Sequence, residues 1–306
     1  MADIGVLVMA YGGPGRLEEV EPYLLDVRNY RPTPESVIHE VKERYARIGG
    51  RSPILERTEA QAAALQRALD SEAAGFRTIV GMRHWRPYIR DALRHLKEEG
   101  VDRAVGLVMA PHYSRMSIKA YFEKVQAAEA GVDVAPIESW HLLPGYIDAL
   151  VARINSALER FPAGDRPAVT VVFTAHSLPE RILSWQDPYP AQLAATVERV
   201  MERLGPQPHR FAYQSAAMTP DPWLGPDACT VLKELAVAGS HNVLIAPIGF
   251  TCEHVEVLYD VDIEFQRAAH SLGLRLERIE MLNDALPMIE GLADLVRRRA
   301  REAEWL

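Results

Sequence analysis

The chain has 306 residues, of which 48% are hydrophobic and 25% charged. That is the balance of an ordinary globular protein and excludes disordered and fibrous chains, while the length suits two domains of about 150 residues. A net charge of −8 argues against general nucleic-acid binding. No apolar window reaches the length of a membrane-spanning helix, and Asp3 stands where a signal peptide carries basic residues, so a cytoplasmic protein without membrane insertion is expected.

The first apolar run, Ile4 to Ala10, stops at Tyr11 and a Gly12-Gly13-Pro14-Gly15 turn. The turn matches neither a dinucleotide fingerprint nor a P-loop. Between residues 28 and 57 lie seven cations, Arg28, Arg31, Lys42, Arg44, Arg47, Arg51 and Arg57, against four glutamates. They read either as a solvated helix face or as a surface for an anionic ligand, and the Gly49–Pro53 turn sets Ser52 beside them. Helices are predicted over Glu56–Leu69 and Tyr88–Glu99, with a second apolar run, Val105 to Ala110, ending at Pro111-His112.

Another helix is predicted over Tyr146–Phe161, and the breaker-rich Phe161–Pro167 segment reads as a linker. The division is placed there: domains of residues 1–150 and 151–306. A third run, Val169 to Ala175, ends at His176, a helix follows over Ala191–Leu204, and a fourth run, Val243 to Phe250, ends at Thr251. The last helix, Ala285–Glu302, is expected to pack back on the first half. Buried strands alternating with amphipathic helices predict a doubly wound α/β fold with parallel sheets, and the two halves look like a weak repeat.

Ligands of such sheets bind beyond the carboxyl ends of the strands, which makes His176 in FTAHSLPERI the first candidate for chemistry. A core or capping histidine is the alternative there and at His112. Ser177 adjoins His176, but neighbours on a strand point to opposite faces, so a hydrolase triad is not expected. After the fourth run, TCEHVEVLYDVDIEFQ reads as a helix with Glu256, Asp260 and Glu264 spaced by four along one face, about 6 Å apart. Leu258, Val261, Phe265, Ala268 and Leu272 form the opposing apolar stripe, so the acids should face solvent or a cleft. His254 beside the acids suits a divalent first-row metal, and such a ladder can hand over a partly dehydrated cation.

Six segments in order carry a resemblance: VMAYGGP from Val8, RYARIGGRSP from Arg44, APHYS from Ala110, FTAHSLPERI, YQSAAMTPDPWLGP from Tyr213 and PIGFTCEHVEVLYDVDIE from Pro247. Over nearly its whole length the chain resembles ferrochelatase. The resemblance implies an α/β fold of two Rossmann-like domains, each a four-stranded parallel sheet flanked by helices, with a porphyrin bound between them. It implies insertion of Fe(II) with loss of two pyrrole protons. His176 and Glu256 would be the metal-binding and proton-accepting pair, with a neutral imidazole, and Asp260 and Glu264 a relay. Tyr11 would face the other side of the macrocycle, where a phenolate can ligate the iron product. Arg28, Arg44, Tyr45, Ser52 and Tyr121 would contact the porphyrin or its propionates.

Tyr11, the TPDPWLGP segment and the lack of a membrane-binding lip resemble the coproporphyrin-using bacterial branch of the family. A protoporphyrin enzyme and a non-catalytic porphyrin carrier are the alternatives. Glu253 stands where the family often has Asp. Some relatives hold a two-iron two-sulfur cluster on four cysteines; Cys229 and Cys252, the only two here, imply no cluster and no other bound cofactor. The resemblance implies a monomer.

Overall fold

The computed structural model describes residues 4–70, 75–217 and 221–306. Asp3 and the Thr219-Pro220 part of the TPDPWLGP segment lie outside the described residues. Strands β1 (Ile4–Ala10), β2 (Phe76–Met82), β3 (Arg103–Val108) and β4 (Asp133–Ile137) form one parallel sheet in the order β2-β1-β3-β4. Strands β5 (Thr170–His176), β6 (His209–Gln214), β7 (Asn242–Pro247) and β8 (Arg275–Arg278) form a second, β6-β5-β7-β8, also parallel. The fold is therefore the expected α/β pair of Rossmann-like units, repeated in the two halves.

The helices of the first half are α1 (Val20–Val27), α2 (Glu35–Arg47), α3 (Ile54–Leu69), α4 (Ile89–Glu98), α5 (Ile118–Ala127) and α6 (Pro144–Leu158). Those of the second are α7 (Arg181–Ser184), α8 (Tyr189–Leu204), α9 (Ala228–Val237), a π-helix over Glu256–Phe265 that continues into α10 (Gln266–Ser271), and α11 (Leu286–Glu302).

The four apolar runs are β1, β3, β5 and β7, the inner pair of each sheet. Inner parallel strands are covered on both faces and flanked by neighbours, so every position of β1 is buried. The outer strands are mixed, with exposed Arg77, His209, Arg210 and Arg275 along them. Their apolar positions are covered on fewer sides, which broke the uniform pattern that marked the inner strands. The second and fourth runs leave their sheets before the apolar stretch ends: Met109 and Ala110, and Ile248 to Phe250, continue as loops.

The segment read as a linker is packed. Phe161 is buried beneath the Arg275 guanidinium, 4.9 Å from its ring centroid, and its carbonyl accepts from Arg166 Nε at 3.0 Å. Helix α11 returns to the first half, where Arg297 Nη2 donates to Ala68 O of α3 at 2.7 Å and Arg299 Nε to Pro136 O of β4 at 3.1 Å. It also crosses α6 so closely that a Cβ on Gly145 would lie 1.9 Å from Pro287 O, which only glycine permits. Gly145→Ala should therefore push α11 off α6 and cost about 1–3 kcal/mol of unfolding free energy. Gly164→Ala, with nothing within 4 Å of its Cβ, is the control expected to stay within about 0.5 kcal/mol of wild type in denaturant titration.

Candidate active site

In each sheet the chain leaves its first strand toward one edge and its third toward the other. The loops after β1 and β3, and after β5 and β7, thus diverge and open a crevice at the carboxyl ends. The two crevices face each other as one cleft of about 310 Å³, within the range of small-molecule sites. Tyr11, Met109 and His112 line it from the first sheet, and His176, Gly249 and Thr251 from the second.

His176 and Glu256 meet on the second-sheet wall, Nε2 to Oε1 at 3.3 Å. His254 Nε2 approaches the other oxygen, Oε2, at 3.5 Å. The imidazole is held from behind, because its Nδ1 is hydrogen-bonded to the Ser177 carbonyl and Tyr189 Oη donates to its own carbonyl at 2.9 Å. Gln214 Nε2 donates to the Glu256 carbonyl at 2.8 Å, tying the start of the π-helix to the end of β6. Burial disfavours charge on His176, yet the Glu256 carboxylate and the hydrogen bonds outweigh it and push the imidazole up to about 9. For Glu256 burial acts upward, and His176 and His254 together hold the carboxyl well below the usual range. The free site thus keeps a proton on His176 and a charge on Glu256, whereas the sequence reading required a neutral imidazole for metal binding.

Asp260 does not face open solvent. It is 4% exposed, accepts from Ser215 Oγ and has Arg44 Nη1 3.9 Å away. Burial raises its pKa to about 6, the nearby Glu256 charge adding and the Ser215 hydrogen bond opposing. The buried stripe of this helix is Val257, Val261 and Phe265; Leu258, expected in the stripe, is half-buried. The wider i→i+5 winding replaces the α-helical register from which the stripe was read. Glu264 is half-buried and lies outside the cleft lining.

The opposite wall is built on the β1 turn. Ser52 reaches it because a Cβ on Gly13 would lie 2.6 Å from Ser52 Oγ. Tyr45 and Tyr121 are buried in the lining, while the Tyr11 ring opens into the cleft with 38% of its surface accessible. Being set deep between the two walls still raises the Tyr11 hydroxyl to about 12, Arg83 opposing and Glu256 adding. Two expected porphyrin contacts are not in the lining. Arg28 is exposed at the end of α1, and Arg44 is engaged by Glu40 at 2.7 Å and stacked over the Tyr259 ring at 5.2 Å.

Arg83 and His84 were missed. The Arg83 guanidinium lies 5.7 Å from the Tyr11 ring centroid and 5.3 Å from that of Tyr121; the His84 ring is 4.7 Å from Tyr11 and bound to buried Asp26 at 2.8 Å. Both follow β2, an outer strand, so recognising that strand would have placed them at a sheet end. His112 is a core residue, its Nε2 2.9 Å from Thr196 Oγ1 and its pKa pushed down to about 3 by burial. Ser177 Oγ donates to Leu224 O at 2.8 Å and is turned away from His176 chemistry.

The family model for ferrochelatase matches residues 3–300. The chain belongs to the ferrochelatase family. It is 42% identical to the ferrochelatase of Herpetosiphon aurantiacus, across 96% of this chain and 98% of that one, and 40% identical to that of Deinococcus radiodurans, across 98% and 96%. It is 37% identical to the coproporphyrin III ferrochelatase of Geobacillus kaustophilus, across 97% and 96%. Among solved structures, SirB from Bacillus subtilis with Fe3+ superposes over 99% of this chain and 98% of that one with a TM-score of 0.60 at 11% identity, a likeness of fold. CbiX, the terminal enzyme of siroheme biosynthesis in denitrifying bacteria, does so over 96% and 98% with a TM-score of 0.53 at 13% identity.

The buried Asp260 has a measurable signature. Its folded-state pKa near 6 lies above the ordinary 3.8, so the folded protein binds the proton more tightly than the unfolded chain. The carboxyl then favours folding at low pH, and that contribution is lost as pH rises through 6. The stability of Asp260→Asn relative to wild type should therefore grow between pH 4 and 6 by on the order of 3 kcal/mol and level off above 7. Parallel profiles in denaturant titration would contradict the buried, proton-retaining carboxyl.

Proposed function

We propose that the chain inserts Fe(II) into coproporphyrin III to give coproheme, acting as a monomer in the cytoplasm with no resident cofactor or iron-sulfur cluster. The observation that carries the reading is the His176–Glu256 contact inside the cleft, opposite Tyr11. Relatives named coproporphyrin III ferrochelatase, from Geobacillus kaustophilus and Geobacillus thermodenitrificans among others, support the choice of porphyrin. No helix among the described residues is long and apolar enough to cross a membrane.

The reaction converts Fe(II) and a porphyrin with two pyrrole N–H groups into the iron porphyrin and two protons. The macrocycle lies between the Tyr11 wall and the His176–Glu256 wall. An incoming cation and the proton on His176 compete for the same nitrogen, so metal approach expels that proton and exposes the lone pair. Glu256, kept ionised by His176 and His254, is the acceptor nearest the pyrrole protons. Asp260, one helical turn along and titrating near 6, takes protons onward. Tyr11, with its hydroxyl raised to about 12, stays protonated and neutral at the other face until iron approaches. Arg83 offers the charge that a propionate needs on the Tyr11 side.

The test is anaerobic Fe(II) insertion, followed by absorbance, with coproporphyrin III and protoporphyrin IX offered separately to wild type and His176→Ala. Strong insertion into coproporphyrin III is expected from wild type. The variant should lose at least about 100-fold in rate, with porphyrin affinity within about threefold, since it contributes less than 1 kcal/mol to holding the ring. Preference for protoporphyrin IX would overturn the choice of porphyrin; tight porphyrin binding without insertion by wild type would mark a carrier.

A further inference from the structure

The segment between β7 and the π-helix belongs to the second sheet by connection but is docked on the first half by three consecutive side chains. Thr251 is 2% exposed and its hydroxyl donates to Met109 O, just beyond β3, at 3.0 Å. Gln61 of α3, also buried, directs Nε2 at Thr251 Oγ1 at 3.4 Å and donates to Asn283 O at 2.9 Å. Asn283 N donates in turn to Thr251 O at 2.7 Å, closing a ring of hydrogen bonds among Gln61, Thr251 and Asn283 from which the bond to Met109 O branches. Cys252 packs with Ala10, Ile54 and Met82, all from the first half. Glu253 forms an ion pair with Arg57 of α3 at 3.1 Å, a reach that the longer acid provides.

His254 and Glu256 follow at once. Ala10, against which Cys252 packs, is the residue before Tyr11. The two walls of the cleft are thus joined through one short path, along the chain from Glu256 back to Cys252, across a packing contact, and along the chain from Ala10 on to Tyr11. Behind the same segment Tyr146 Oη donates to Ile248 O at 2.5 Å and Gly249 N to Thr174 O at 3.2 Å. The loop is held from both sides, on the first-half side by the buried Thr251 and Gln61 and by the Glu253–Arg57 ion pair.

We propose that Thr251 and Gln61 are positioning residues for metal insertion, fixing Glu256 and His254 against the Tyr11 wall across the boundary between the halves. The inference rests on the insertion reading above. Thr251 reaches the cleft lining, but its hydroxyl is turned away to Met109 O and Gln61 Nε2, and Gln61 lies behind the lining, so neither side chain is assigned a bond to the porphyrin or the metal. They set where the acceptor carboxylate stands relative to a ring seated on the opposite wall. Displacement of a reacting group by about 1 Å can cost a factor of about 100 in rate without loss of ground-state binding. The hydroxyl is the operative group at position 251, so size alone should not replace it.

The experiment compares Thr251→Val, Thr251→Ser and Gln61→Leu with wild type in Fe(II) insertion, alongside porphyrin affinity by fluorescence quenching and thermal unfolding. Thr251→Val should lower kcat about 10–100-fold while the porphyrin Kd stays within about threefold. Thr251→Ser, which keeps the hydroxyl, should retain at least half of the wild-type kcat. Gln61→Leu should lower kcat in the same direction with Kd preserved, and it decides the matter if Thr251→Val does not fold. Unchanged kcat in folded variants, equal loss in Ser and Val, or parallel loss of kcat and porphyrin affinity would each overturn the inference. Absence of insertion by wild type would instead overturn the functional reading on which it rests.

Discussion

The contact between His176 and Glu256 is the interaction on which the site depends, and it is made by chain segments 80 positions apart. Parallel pairing of β5 with β7, Thr170 opposite Val243, brings the end of one strand beside the loop that leaves the other. The same strand order in the first sheet places Tyr11 at the matching position. Two copies of one topology, turned carboxyl end to carboxyl end, give a cleft with an acid–imidazole pair on one side and a phenol on the other. The chemistry is different on the two walls although the scaffolds are alike.

Keeping that pair together costs solvation. A buried charge is tolerated when it is paired and hydrogen-bonded, and here Glu256 has an imidazole on each oxygen. On the proposed function, the arrangement also holds a proton on the nitrogen that the incoming cation would take. A protonated imidazole resists a cation until the proton leaves, so the proposed reaction would link metal arrival to proton departure in one place. The neighbouring Asp260 is raised to about 6 by burial, so two carboxyls one helical turn apart are shifted in opposite directions. Environment, not residue identity, creates that difference.

The inner strands were legible because uniform burial writes an unbroken apolar run, and Tyr11, His176 and Glu256 stand at or just beyond the ends of those runs. The outer strands were not, because Arg77 and Arg275 face solvent on them; with β2 went Arg83 and His84. The acidic ladder was visible, but an α-helical reading set Leu258 in the buried stripe, where the π-helical winding buries Val257 instead. Nothing local marks a π-helix in sequence. Docking of Thr251, Cys252 and Glu253 on the first half was equally hidden, since hydrogen bonds between residues 61, 109, 251 and 283 leave no periodic trace. Arg28, which the resemblance names as a porphyrin contact, is exposed at the end of α1 and outside the cleft lining.

The central claim is that His176 and Glu256 act as one unit in handling the metal and the pyrrole protons. A double-mutant cycle of His176→Ala and Glu256→Gln, read in the anaerobic insertion rate, tests it most directly. Residues that work as a unit lose function once: the double variant should be no slower than the slower single variant, within about threefold. Multiplied losses, each variant subtracting its own share of transition-state stabilisation, would show independent contributions and contradict the account.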